Sequence, residues 1–247
     1  MNRPRLGPLL IVTTGAALIA LSGCTVWRIG ESAALARRSE PLQQLPTDAT
    51  VKMLIVGDST AVGTGASSAQ HSVAGLLGHD HPRLRIDNRA RDGARFSHVL
   101  DQLGTLEAGD RYDLVLVQAG GNDVIRLRGA DALQNDIDQV IARAREHSDR
   151  VIVMPAGNVG NAPFFFPPVS WWMTYRARDL HRFVRTAAAQ HGAVYVNLFH
   201  EKADDPFVRR PELNARDGLH PSDAGYRVWF DQLMAQADLA GPLAAAR

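Results

Sequence analysis

Val51-Lys52-Met53-Leu54-Ile55-Val56-Gly57-Asp58-Ser59-Thr60 is the stretch that decides the fold. A nearly continuous run of strand formers, Val51 to Val56, breaks at a glycine and three polar residues. Such a run suits a strand buried on both faces, the signature of a parallel sheet between helices. Gly57 lets the chain turn sharply, and a serine two residues on stands at a strand-to-helix turn. Outward from this stretch the same unit recurs. Apolar runs lie at Leu84–Ile86, Leu114–Val117, Val151–Met154 and Val194–Val196. Between them come stripes at helical spacing. One comprises Leu133, Ile137, Val140, Ile141 and Ala144; another comprises Leu180, Phe183, Val184 and Ala187. A last helix starts at about Ser222, an N-cap residue, and runs through Val228, Leu233 and Met234. Alternating strands and helices predict an α/β domain with a five-stranded parallel sheet. No internal repeat and no second domain shows in the sequence.

Open parallel sheets place their sites beyond the carboxyl ends of the strands. Four short segments fall there. Gly57-Asp58-Ser59-Thr60 follows the first strand, Asn88 to Gly93 the second, and Gly120-Gly121-Asn122-Asp123 the third. Asp217-Gly218-Leu219-His220-Pro221 precedes the last helix. Ser59 is the candidate nucleophile. Asp217 and His220, three apart, can pair within one loop, the acid orienting the imidazole that takes the Ser59 proton. Gly93 offers a backbone N–H, and Asn122 a side-chain amide, to the oxyanion that acyl transfer creates. Asp123 reads as structural. The other eight histidines, at 71, 79, 81, 98, 147, 181, 191 and 200, lack the partner three residues before them that His220 has and are expected on surfaces or loops.

In these four blocks the chain resembles the SGNH (GDSL-type) hydrolase family, named for its Ser, Gly, Asn and His. The blocks occur in family order over roughly residues 51–235, with Thr60 in place of the leucine of the GDSL form. The resemblance implies a flavodoxin-like three-layer αβα sandwich. It implies a Ser59-His220-Asp217 triad and an oxyanion hole of Ser59, Gly93 and Asn122. It implies neither metal nor cofactor. The expected function is a serine esterase or lipase that cleaves acyl esters through an acyl-serine intermediate. Acyl transfer, or O-acetyl ester cleavage on envelope glycans, would use the same residues. A binding module on a decayed hydrolase fold is the non-enzymatic alternative. Substrates would be small acyl esters, lysolipids or acylated glycans.

Composition bounds the rest. The 247 residues are 45% hydrophobic, enough for one substantial core. The formal charge is +1; without residues 1–23 the remainder carries 25 basic and 26 acidic groups. That balance gives no electrostatic reason to expect nucleic acid as a partner. The single cysteine, Cys24, excludes a disulfide framework and a cysteine zinc site. Arg3 and Arg5, the uncharged run Leu6 to Leu21, and Leu21-Ser22-Gly23-Cys24 resemble a bacterial lipoprotein signal. Residues 1–23 would be removed and Cys24 lipidated, anchoring the chain to an envelope membrane without spanning it. Thr25 favours the outer membrane where two membranes exist. Residues 24–49 read as the lipidated cysteine and a tether, with a short helix over Glu31 to Arg38, and residues 50–240 as the hydrolase domain. Beyond strand four, Phe164, Phe165, Phe166, Trp171 and Trp172 concentrate in a loop, a candidate lip for an acyl chain or for the membrane.

Overall fold

A computed structural model describes residues 26–247. The signal segment and Cys24 lie outside the described residues. Five strands form one parallel sheet in the order β2-β1-β3-β4-β5: β1 Val51–Gly57, β2 Leu84–Asn88, β3 Leu114–Gln118, β4 Val151–Val153 and β5 Val194–Tyr195. The register is in step across the centre, Met53 facing Leu84's neighbour Ile86 on one side and Leu114 on the other. The strand order is that of a flavodoxin-like sheet, with its direction reversing between β1 and β3.

Alternation along each strand builds two separate cores. Met53, Ile55, Leu114 and Leu116 face one layer, where they pack with α3 (Val73–Asp80) and α9 (Asp223–Gln236). Leu54, Val56, Val115 and Val117 face the other, packing with α4 (Phe96–Gly104), α6 (Ala130–Arg145) and α7 (Val169–His191). Both faces of the sheet are therefore dry, which is why the strands read as unbroken apolar runs. The stripe of Leu133, Ile137, Val140, Ile141 and Ala144 is the buried face of α6. Ser222 is the N-cap of α9, its hydroxyl accepting from the Gly225 N–H. The three-layer α/β fold expected from the sequence is the fold observed.

The segment expected as a spacer is a packed part of the domain. Residues 26–36 are helical (α1), starting earlier and ending earlier than the sequence suggested. Gln44 then bridges to Ile86 through both backbone groups, and its side-chain amide donates to the carbonyls of Gly78, His81 and Leu84. Gln43 exchanges hydrogen bonds with the backbone of Asn88. The free edge of β2 is thus covered by two glutamines. Apart from Leu42, which packs against the core, the docking is made by polar side chains, so composition alone suggested a tether. Among the described residues no helix is long and apolar enough to cross a membrane.

One histidine departs from expectation. His81 and His147 lie in loops, though buried there, but His181 is buried inside α7. His181 sits on the inner face of α7, bonded to the Tyr195 hydroxyl and the Ala156 carbonyl oxygen. A histidine with two fixed partners fits a core, and its spacing of four from Ala177 and three from Val184 was the signal for it.

Candidate active site

The carboxyl end of β1 is held in an unusual conformation. Gly57 has φ +153°, and a Cβ there would lie 1.9 Å from the Gln118 carbonyl oxygen at the end of β3. Only glycine fits. Gln102 of α4 clamps the same residue, accepting from the Gly57 N–H at 2.8 Å and donating to its carbonyl at 2.9 Å. Directly after it Asp58 caps α2 (Ser59–Val62), accepting from the Thr60 N–H. The Thr60 hydroxyl donates to the same carboxylate oxygen at 2.7 Å. This gives the departure from the GDSL leucine a physical role: a hydroxyl that satisfies a buried acid. Burial pushes the Asp58 carboxyl above its ordinary range, against the two bonds from Thr60.

Ser59, His220 and Asp217 come together from opposite ends of the chain. His220 Nε2 lies 2.9 Å from Ser59 Oγ, and His220 Nδ1 lies 2.6 Å from Asp217 Oδ2. Asp217 is fully buried. Its other oxygen accepts from the N–H groups of Leu219 and His220. Burial raises the Asp217 carboxyl, but the bonds and charge of His220 and these two N–H groups outweigh it and hold the acid low. The carboxylate can only accept, so it fixes the proton on Nδ1 and leaves Nε2 to accept from Ser59.

Three donors face the same cavity. Ser59 opens α2, so its N–H is among those a helix start leaves without an intrahelical acceptor. Gly93, at φ +73°, lies where a Cβ would approach the Arg126 guanidinium at 3.1 Å. Asn122 is the second residue of α5 (Gly121–Ile125), set at the end of β3. Ser59, Gly93, Asn122 and His220 all line one cavity of about 530 Å³. Its walls include Val159, Phe164, Leu198, Phe207 and Trp229, with Ile29 and Ala33 contributed by α1. The site stands at the β1/β3 reversal, where open parallel sheets leave a crevice.

The aromatic segment divides. Phe164 lines the cavity, Phe165 packs into the α6–α7 core, and Phe166 is exposed. Trp171 and Trp172 belong to the first turn of α7, not to the loop, and both are exposed. Asp123 is buried, accepting from the Phe96 N–H at 3.1 Å while its second oxygen has no partner among the described residues. Burial, reinforced by the Asp58 carboxyl, pushes it up to about 7.

Four supporting residues escaped the sequence reading. They are Gln102, Thr64, Asp92 and Gly65. Thr64 donates to Asp92 at 2.6 Å beside the site, and Tyr226 donates to the Thr64 carbonyl. A Cβ on Gly65 would meet the Pro221 carbonyl oxygen at 2.4 Å and His220 Cβ at 2.8 Å. None of these carries a local motif; only the tertiary contact reveals them.

Comparison with known proteins agrees with this architecture. Residues 55–228 match the GDSL-like lipase/acylhydrolase family. A GDSL-like esterase of Mycobacterium tuberculosis is 28% identical over 198 residues, covering 77% of this chain and 62% of that protein. The esterase TesA of Pseudomonas aeruginosa is 29% identical over 176 residues, 69% of this chain and 79% of that one. The chain thus spans less than two thirds of the mycobacterial relative. Among solved structures, an α/β hydrolase from the metagenome of Lake Arreo superposes with a TM-score of 0.61 at 21% identity, covering 78% of this chain and 97% of that one.

Proposed function

The chain belongs to the GDSL-like lipase/acylhydrolase family, and on that premise we propose that it is a serine esterase working through an acyl-Ser59 intermediate. One observation carries the reading: the unbroken relay from Asp217 Oδ2 to His220 Nδ1 at 2.6 Å and from His220 Nε2 to Ser59 Oγ at 2.9 Å. His220 takes the Ser59 proton as Oγ attacks the ester carbonyl. The tetrahedral oxyanion accepts from the N–H groups of Ser59 and Gly93 and from the Asn122 amide. His220 then protonates the departing alcohol. Water attacks the acyl-enzyme by the same route, releasing the acid and restoring Ser59.

The cavity can take an acyl chain along Ile125, Val159, Phe164, Leu198 and Trp229, and its polar residues Arg126, Asn158, Asn161 and Asn214 can meet a polar part of the ester. The N-terminal pattern supports a location at the outer side of a bacterial membrane, held by a lipid on Cys24. Hydrolysis of p-nitrophenyl esters by the wild type and by Ser59→Ala tests the activity. Turnover is expected to fall by ~10⁴ or more in the variant. Equal turnover by both proteins would remove Ser59 from the chemistry.

A further inference from the structure

Exposed apolar side chains are not scattered over this molecule. Of the ten large ones among the described residues, three lie within residues 26–29 and five within residues 166–175. Trp27 is 52% exposed, Trp171 69%, Trp172 52% and Tyr175 54%. Two contacts join the segments into one face. The Arg28 guanidinium lies 5.0 Å over the Phe166 ring, and it donates to the Pro163 carbonyl oxygen. Trp172 and Tyr175 stack with centroids 5.7 Å apart. The face borders the cavity, because Ile29 and Phe164 from the same two segments form its walls. No acidic residue occurs from Asn161 through Arg178, while Arg28, Arg176 and Arg178 belong to these segments.

We propose that this face seats in the headgroup layer of a lipid bilayer, turning the cavity mouth toward the lipid so that acyl esters enter from the membrane. Its chemistry fits that occupant. Tryptophan and tyrosine present an apolar body and a polar tip, and they concentrate at membrane–water boundaries. Arg178 is paired with Glu201 at 2.7 Å, whereas Arg28 has no ion pair among the described residues and can attract anionic headgroups. The chain's own course points the same way. The uncharged run Leu6–Leu21 ends five positions before Val26, and Cys24 only two positions before it. Five extended residues span at most ~18 Å. Whichever of the two enters the lipid, the start of α1 is held at that surface. The seating of the face rests on the envelope location proposed above, and the entry of acyl esters from the lipid rests on the esterase reading as well.

The test uses the full chain in vesicles of mixed phosphatidylcholine and phosphatidylglycerol, with and without bromine on the acyl chains near the headgroups. The emission lost on going from wild type to Trp171→Phe/Trp172→Phe isolates those two exposed rings. That component is expected to be quenched about twofold or more by the bromolipid and shielded from aqueous acrylamide, as rings seated at the boundary must be. Quenching by acrylamide alone overturns the proposal. Shielding from both quenchers also overturns it, and assigns the face to a protein partner or a second copy. A kinetic arm adds Trp171→Glu/Trp172→Glu. Hydrolysis of a vesicle-embedded ester is expected to fall about tenfold while soluble p-nitrophenyl acetate is cleaved as before. Unchanged turnover of both substrates contradicts docking. Should the wild type cleave no ester at all, the quenching arm still decides, so failure of the esterase reading is seen separately.

Discussion

Ser59 is served by neighbours that have no reactivity of their own. Of the three proposed oxyanion donors, Asn122 is the one that can be removed without moving the backbone. Asn122→Ala should lower kcat by ~10²–10³ with little change in KM, read on p-nitrophenyl butyrate. A matching rise in KM with kcat unchanged would mean that the amide binds substrate and does not stabilise the transition state. Gly65 offers a different test. At φ +100° and against His220, alanine there forces the histidine loop to move. A displacement near 1 Å costs on the order of 10² in rate, so Gly65→Ala should lose activity while retaining its far-ultraviolet circular dichroism. Asp123 sets a pH dependence. Its folded value of about 7 exceeds the ordinary 3.8, so the folded state keeps a proton that the unfolded state has lost. Stability therefore falls as pH rises from about 4 to about 7, by ~1.4 kcal/mol per pH unit for one proton. Asp123→Asn should remove that slope, its melting temperature gaining on wild type across the window and levelling above it. At this scale the motif residues were legible because chemistry restricts their identity and order. Gln102, Gly65 and the Asp92–Thr64 pair were not, since each acts through a partner far along the chain.

Among the elements, all five strands and the long helices α6, α7 and α9 were legible, and the shorter helices were not. β1 and β3 read clearly because burial on both faces leaves them nearly unbroken apolar runs, with Lys52 near the start of β1 and Gln118 at the end of β3 as their polar residues. α6 showed its stripe because one face alone is buried. α2, with four residues, and α5, with five, are too short to display a period. They are set by Asp58 and by the glycines around them. α1 escaped because it turns only Ile29, Ser32, Ala33 and Ala36 to the cavity, too few apolar groups to mark a stripe. α7 carries a buried histidine whose value burial lowers to about 4, below the ordinary 6.5. Here the unfolded state binds the proton that the folded state refuses. Stability is lost as pH falls from about 6.5 to about 4, again by ~1.4 kcal/mol per unit. Comparing thermal unfolding of wild type and His181→Gln should show a shallower acid slope for the variant; parallel slopes would place the proton elsewhere.

Across the whole molecule, the fold exists to bring residues 59, 93, 122 and 220 to one crevice. The sheet reverses its winding between β1 and β3, and each motif follows from a strand or precedes the helix that closes the layer. That topology was legible because alternation of strand and helix leaves few arrangements open. The part that was not legible is the contribution of residues 26–49. They cover the edge of β2 and wall the cavity, yet their sequence is polar and mixed. The central claim is that acyl transfer passes through Ser59. Mass spectrometry of the protein quenched within its first turnover of p-nitrophenyl butyrate tests it most directly. The account predicts a butyryl adduct on the peptide carrying Ser59, formed far more slowly in His220→Ala, which lacks the base, and absent from Ser59→Ala. An adduct on another residue, or ester turnover by Ser59→Ala at the wild-type rate, would contradict it.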